Sequence, residues 1–398
     1  MDRRQYVKAC GGVAGAAVGL VGLHESVSGT RIRAIPSRTD VTEDEPSERP
    51  EQKERPARTF DPRDGRTLIG TSPPSVDDGH FDAFEAWQDG PSAVVTLFAD
   101  VGQPTAAIEA FVHGMLTYVW ERGSVPNVVW QPYFVSREAT PPTVEADVAG
   151  GRYDDPLDDW TSALTRWLRP DEGPDRRLYL TFAPEMNGDW VPWDASDGES
   201  TSEDYVAMWR TVYDRVSADL TPDHLRWVWS VNNGSRWNWA DEPVGIDRYY
   251  PGDAYVDWVG VHGYNWDAWG GWKQPDGVYD AMVENVREVS DKPLAFTECA
   301  CSSRYGDGYR PDLKDEWITA FFAYVDERDV RMVCWFDKEK ETDWAVFGGS
   351  RGTETVEFDG TSVPAYEAYR TAASESGILL AYPDHPRVLT DAEFAGSF

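Results

Sequence analysis

Positive charge is scarce in this chain. Its 398 residues hold 70 Asp and Glu against 37 Lys and Arg, the basic charge carried mainly by Arg, for a formal net charge of −33. A field of that sign repels phosphate backbones and anionic membranes, which argues against nucleic acid or a charged membrane surface as partners. The acids are spread from end to end, so the balance reads as a solvating surface suited to salt-rich surroundings and says nothing about a reaction. Cysteine and histidine are also few, at 4 and 6. No Cys/His spacing of a zinc site occurs, and the acidic run at 194–199 lacks the spacing of a calcium loop. No metal and no cofactor is expected. Long apolar runs are missing too: the stretch from Ala9 to Leu23 is rich in Gly and Ala and too short for a membrane span.

That stretch has a different meaning in context. Arg3-Arg4 precede it and small residues at Val27-Ser28-Gly29 follow, the order of a twin-arginine-type export signal over residues 1–29. Residues 30–65 are rich in Pro, Glu, Arg and Asp with almost no aromatics, the composition of a disordered linker. The folded domain is expected over 66–398, in a secreted and monomeric protein.

Within that domain strand-like and helix-like segments alternate. Strands are predicted at 67–70, 93–98, 127–134, 177–184, 226–231, 256–264, 293–298 and 331–336, with amphipathic helices at 106–121, 157–168, 203–218, 278–289 and 313–327. Eight strands interleaved with helices fit a (β/α)8 TIM barrel. An open doubly wound sheet would carry a Gly-rich phosphate loop after its first strand, where this chain has Thr71-Ser72-Pro73-Pro74.

In such a barrel the reactive groups sit at the C-terminal ends of the strands. The fourth predicted strand delivers Glu185 and the seventh Glu298. A carboxylate ending an apolar strand is costly unless paired or used. A barrel-top salt bridge explains one such Glu as well as chemistry does. Two of them facing across the mouth, ringed by aromatics, are what glycoside cleavage requires: one carboxyl to protonate the leaving oxygen, one carboxylate to attack or to activate water. Trp190, Trp193, Trp266, Trp269, Trp335 and Trp344 fall at strand mouths, with Trp237 and Trp239 after strand five, and flat rings there suit sugar C–H faces. Alternation along strand six puts His262 and Tyr264 on one face with Gly260; if that face points inward, Tyr264 arrives near Glu298 and His262 stands behind it. Cys299, Cys301 and Cys334 read as buried small residues, with a bridge from Cys334 to either of the others left open.

The motifs Glu185-Met186-Asn187-Gly188-x-Trp190-x-Pro192-Trp193, Tyr255-Val256-Asp257-Trp258-Val259-Gly260 leading to Tyr264-Asn265-Trp266, Phe296-Thr297-Glu298, and Trp335-Phe336 followed by Asp343-Trp344 resemble glycoside hydrolase family 26. The resemblance covers residues 66–373. It implies a retaining endo-β-glycanase acting on a polysaccharide, β-mannan first, with lichenase, β-1,3-xylanase or a non-catalytic carbohydrate-binding barrel as alternatives. It implies Glu185 as acid/base, Glu298 as nucleophile, Tyr264 as hydrogen-bond donor to the nucleophile, Trp335 as floor under the sugar, and Asn187, Trp190, Trp193 and Trp266 as substrate contacts. One departure stands out: mannan-cleaving members carry His before the acid/base Glu, and this chain has Pro184.

Overall fold

The computed structural model describes residues 65–398 except 77–78, 135, 137, 195–198, 235–244, 269–270, 359 and 383. The expected export segment and all of the linker but Gly65 lie outside the described residues, as do Trp237, Trp239, Trp269 and most of the acidic run at 194–199.

Eight strands carry the fold: β1 (Thr67–Ser72), β2 (Val94–Asp100), β3 (Val125–Gln131), β4 (Leu178–Phe182), β5 (Leu225–Asn232), β6 (Trp258–Asn265), β7 (Leu294–Cys301) and β8 (Val330–Phe336). Every residue of β1, β3, β4 and β7 is buried. Near-continuous apolar strands are what a parallel sheet covered on both faces requires. The strands pair in parallel in chain order, and β8 returns to β1 in register from Leu68↔Met332 to Ser72↔Phe336. The sheet therefore closes, and the fold is the (β/α)8 barrel that the alternation predicts.

Around it lie α1 (Gly79–Trp87), α2 (Thr105–Ala110), α3 (Thr117–Glu121), α4 (Val144–Ala149), α5 (Asp154–Leu168), α6 (Ser202–Val216), α7 (Pro275–Val289), α8 (Pro311–Glu327), α9 (Glu367–Ala373) and α10 (Asp391–Ala395). A π-helical turn, Phe111–Leu116, joins α2 to α3. The start of α6 is fixed by a capping box: the Thr201 hydroxyl accepts from the Asp204 amide while the Asp204 carboxylate accepts from the Thr201 amide. Proline opens α7 and α8, where its missing N–H costs nothing. Among the described residues the β5–β6 connection holds only a 3₁₀ turn, Ile246–Tyr249, whose Tyr249 ring packs edge-on against Tyr205 of α6.

The barrel interior is layered. At the bottom Leu68, Val94, Val125, Tyr179, Val228, Trp258, Ala295 and Met332 form an apolar core with Leu389 and Phe394 of the C-terminal segment. Above them the layer turns polar: Thr181 donates to Asn127 (2.9 Å), Asn127 donates to Thr96 (3.2 Å), and Ser230 and Thr297 share a hydrogen bond of 2.8 Å. Gly260 sits in this layer because a Cβ there would collide with Ser230 Oγ at 2.1 Å and Thr297 Oγ1 at 2.9 Å. The third layer is the mouth.

Candidate active site

The mouth is built from strand ends. On β6 the inward face runs Trp258, Gly260, His262, Tyr264, and on β5 it runs Val228, Ser230, Asn232, as period-two alternation demands. On β7 alternation breaks. Gly260 pairs with Ala295, yet His262 pairs with Glu298, so three residues of β7 span two of β6. The same slip appears on the other side, where Val333 pairs with Phe296 and Trp335 with Cys299. This bulge turns Glu298 to the same side as Thr297 and aims it into the mouth.

Glu185 arrives by a different route. β4 ends at Phe182, and the chain then passes through left-handed backbone at Ala183 (φ 42°) and Glu185 (φ 62°). Such conformations in residues other than glycine cost about 1–3 kcal/mol each and persist only where the surroundings fix them. The fixings are visible. The Ala183 amide donates to Trp130 O and the Glu185 amide to Ser230 O, both at 3.0 Å. Trp193 Nε1 donates to Pro184 O at 2.7 Å, and Tyr205 OH donates to Ala183 O at 2.9 Å. Asn187 straps the elbow to β5, donating to Asn232 O and accepting from the Asn232 amide, each at 2.8 Å.

The two carboxyl groups meet at one imidazole. His262 Nδ1 lies 3.1 Å from Glu185 Oε1 and 3.8 Å from Glu298 Oε1, so the two acids are no farther apart than the sum of those distances. Their side chains stay partly open to solvent, Glu185 at 20% and Glu298 at 11%, while His262 is at 1%. Glu185 also accepts from Asn232 Nδ2 and from Trp190 Nε1, both at 2.9 Å. Gly188 makes the last contact possible, because a Cβ there would stand 2.7 Å from the Trp190 ring. Glu298 Oε2 accepts from Tyr264 OH at 2.7 Å. Burial opposes ionisation of Glu185, but the hydrogen bonds from His262, Asn232 and Trp190 and the charge of His262 outweigh it and hold the carboxyl at about 2. For His262 burial disfavours the charged form, while the charge of Glu298 and the hydrogen bond and charge of Glu185 prevail and raise its proton affinity. At the rim Lys338 packs over Phe98 and Phe336; burial pushes its ammonium down to about 8 against the pull of Glu298.

The aromatic residues divide differently from the sequence expectation. Trp190 and Tyr264 reach the mouth, and Trp266 packs edge-on against Trp344, which in turn packs edge-on against Tyr264. Trp335 does not reach it. On β8 the inward positions are Met332, Cys334 and Phe336, so Trp335 points outward and is fully buried against Trp317 and Phe321 of α8 and Tyr369 of α9. The floor assigned to Trp335 is corrected on that ground. Trp193 is likewise fully buried, edge-on to Tyr133, and braces the Glu185 elbow rather than lining a cleft. Cys299, Cys301 and Cys334 are free and buried. Asn232 escaped the sequence reading although its signal was present: it is the polar residue ending the inward face of β5. Among the described residues no group of three or more His, Cys, Asp or Glu forms a metal cluster, and no helix is long and apolar enough to cross a membrane.

Fold and site together define a closed parallel barrel with two carboxylates, from β4 and β7, opposed at its C-terminal mouth. The segment 162–298, which contains both, matches the profile of glycosyl hydrolase family 26, the family that the sequence motifs resemble. Among curated relatives, Endoglucanase H of Acetivibrio thermocellus is 26% identical over 66% of this chain and 28% of its own length. A β-1,3-xylanase of a Vibrio species is 30% identical over 46% of this chain and 38% of its own. The chain thus spans well under half the length of either. The solved catalytic domain of a family 26 endo-β-1,4-mannanase from Bacillus sp. JAMB-750 superposes with a TM-score of 0.58 at 16% identity, covering 79% of this chain and 87% of that one, a likeness of fold.

Proposed function

We propose that this chain is a retaining endo-β-glycanase, with Glu298 as nucleophile and Glu185 as acid/base. The observation that carries the reading is the placement of two carboxylates on either side of His262, each with its own set of donors. Glu298 is held by Tyr264 through Oε2, and among the described residues no hydroxyl donates to Oε1. That suits an oxygen that must attack an anomeric carbon. Glu185 lies across the mouth, where a leaving oxygen would stand. In the retaining mechanism one carboxylate forms a glycosyl–enzyme bond and the other first donates and then recovers a proton.

The substrate reading is a β-linked polysaccharide, β-mannan first, with mixed-linkage glucan and β-1,3-xylan next; relatives named for glucan and xylan cleavage support the wider set. Pro184 offers no side-chain donor, and among the described residues Trp190 and Asn232 stand beside the acid. We further propose that the enzyme is exported, on the order of basic, apolar and small residues over 1–29.

Digestion of mannan, lichenan, β-1,3-xylan and cellulose in high salt, followed by NMR of the first-formed anomer, tests the proposal. We expect release of oligosaccharides with retained β configuration. Glu298→Ala should cut turnover by roughly a thousandfold or more, the scale of losing a nucleophile. Inverted product, or a Glu298→Ala variant as active as wild type, rules out the assignment; binding without any product supports a carbohydrate-binding barrel instead.

A further inference from the structure

The resting state poses a problem for the acid. Glu185 must deliver a proton to the leaving oxygen, yet its two oxygens accept from Asn232 and Trp190 and a third hydrogen bond joins it to His262 Nδ1, an arrangement that favours the carboxylate. We infer that His262 stores that proton between the two carboxylates and passes it to Glu185 when Glu298 gives up its charge to the sugar. This rests on the proposed retaining reaction and adds to it a residue that positions the proton without touching the substrate.

Three observations on geometry support it. The imidazole is fully enclosed, so bulk water cannot exchange its proton directly. One nitrogen, Nδ1, faces both acids, in hydrogen-bond reach of Glu185 at 3.1 Å and in charge contact with Glu298 at 3.8 Å. The other nitrogen, Nε2, is buried and has no hydrogen-bond partner among the described residues; its unpaired N–H disfavours the charged ring and so eases release of the proton to Glu185 once one of the two anions is neutralised. The charged groups facing it are Glu185 from the end of β4 and Glu298 from β7. Its own strand adds the neutral Tyr264, and β5 adds the neutral Asn232, paired with it in register. Lys338, beyond β8, acts on Glu298. Two anions therefore hold one cation, and the reaction consumes one of the anions.

The proton count closes. In the first half, Glu298 bonds to the anomeric carbon and the bond to the leaving oxygen breaks. That oxygen takes a proton from Glu185, which Glu185 draws from His262; the ring ends neutral beside a neutral ester and the Glu185 carboxylate. In the second half, water bonds to the anomeric carbon, the ester bond to Glu298 breaks, and the water proton passes through Glu185 back to His262. The enzyme returns to its starting charge with one glycoside and one water consumed.

Two measurements test this on the full chain. First, dinitrophenyl and methoxyphenyl β-glycosides of mannobiose and cellobiose are compared in wild type and His262→Gln. A dinitrophenolate leaves without a proton, so the variant should lose less than about threefold on it and roughly a hundredfold on the methoxyphenyl glycoside, within the usual range for acid catalysis. A merely structural role would lower both alike, and equal losses overturn the inference while leaving the proposed function standing. Second, nitrogen NMR follows the His262 ring without substrate, its signal assigned by its absence in His262→Gln. In Glu298→Gln its titration midpoint should fall by at least about one unit, the effect of removing one neighbouring charge. An unmoved midpoint overturns the inference whatever the kinetics show. Should wild type cleave no glycan and no aryl glycoside, the proposed function fails, and the relay with it.

Discussion

Glu145 is the acid in this protein that the fold serves worst. Its side chain is fully buried on α4; one carboxyl oxygen accepts from Ser200 at 2.9 Å and the other has no hydrogen-bond partner among the described residues. Burial, with Asp194 and Asp204 nearby, outweighs its hydrogen bonds and pushes the carboxyl up to about 8. A folded-state value above the unfolded one means the carboxyl favours folding fully only below about 4.5, and that this contribution is lost as pH rises toward 8. Glu145→Gln should therefore raise stability at pH 7 by on the order of 1–3 kcal/mol and leave it nearly unchanged at pH 4. Urea melts at the two pH values check this; equal effects at both would contradict it. Glu185 has the opposite sign. Its carboxyl is held low, so the stability it contributes is present above about 4.5 and lost as pH falls toward 2.

At the scale of elements, the loops after β7 and β8 are fastened together from beneath. Lys314 of α8 is fully buried and donates to the carbonyls of Asp343 (2.5 Å), Trp344 (3.1 Å) and Ala345 (2.8 Å). The Asp343 carboxylate accepts from Ser302 and Ser303, just past the end of β7. Removing the ammonium strands a buried carboxylate and three carbonyls, so Lys314→Met should cost on the order of 3–5 kcal/mol. A denaturation midpoint shifted by less than a third of that would show that the fastening is not made by the amine. This is also the scale at which the sequence was most and least readable. Short apolar runs marked the barrel strands, and alternation put Tyr264 on one face with Gly260 and His262, which is the inward face in the structure. Carried to β8, alternation also turns Trp335 outward, which its place at a strand mouth had hidden. On β7 alternation alone would have sent Glu298 out if Thr297 pointed in, because a bulge leaves no mark on the letters of the strand that contains it. The left-handed backbone at Ala183 and Glu185 was equally silent, since neither residue is a glycine.

For the whole molecule, the fold class was legible because a closed parallel barrel needs eight apolar strands with helices between, and the chain spells them in order. Glu185, Glu298 and His262 could each be put at a strand mouth from the letters alone; that one imidazole nitrogen faces both carboxylates could not, because three separate strand ends have to position the three groups. The charge of −33 belongs to this scale as well. Screening shortens the reach of like-charge repulsion from ~10 Å at 0.1 M salt to ~3 Å at 1 M. The melting temperature should therefore climb by several degrees as NaCl is raised across that range, and a flat or falling curve would contradict a surface adapted to salt. The bulge in β7 also bears on how this chain can change by descent. Point changes at 295–297 alter packing and leave the extra residue in place, whereas loss of one residue there would erase the bulge: Glu298 would stay opposite His262, and the inward Thr297 hydroxyl that bonds Ser230 would be lost or turned toward the helices. Drift in length along this strand would spare the acid at the rim and strip the polar layer beneath it.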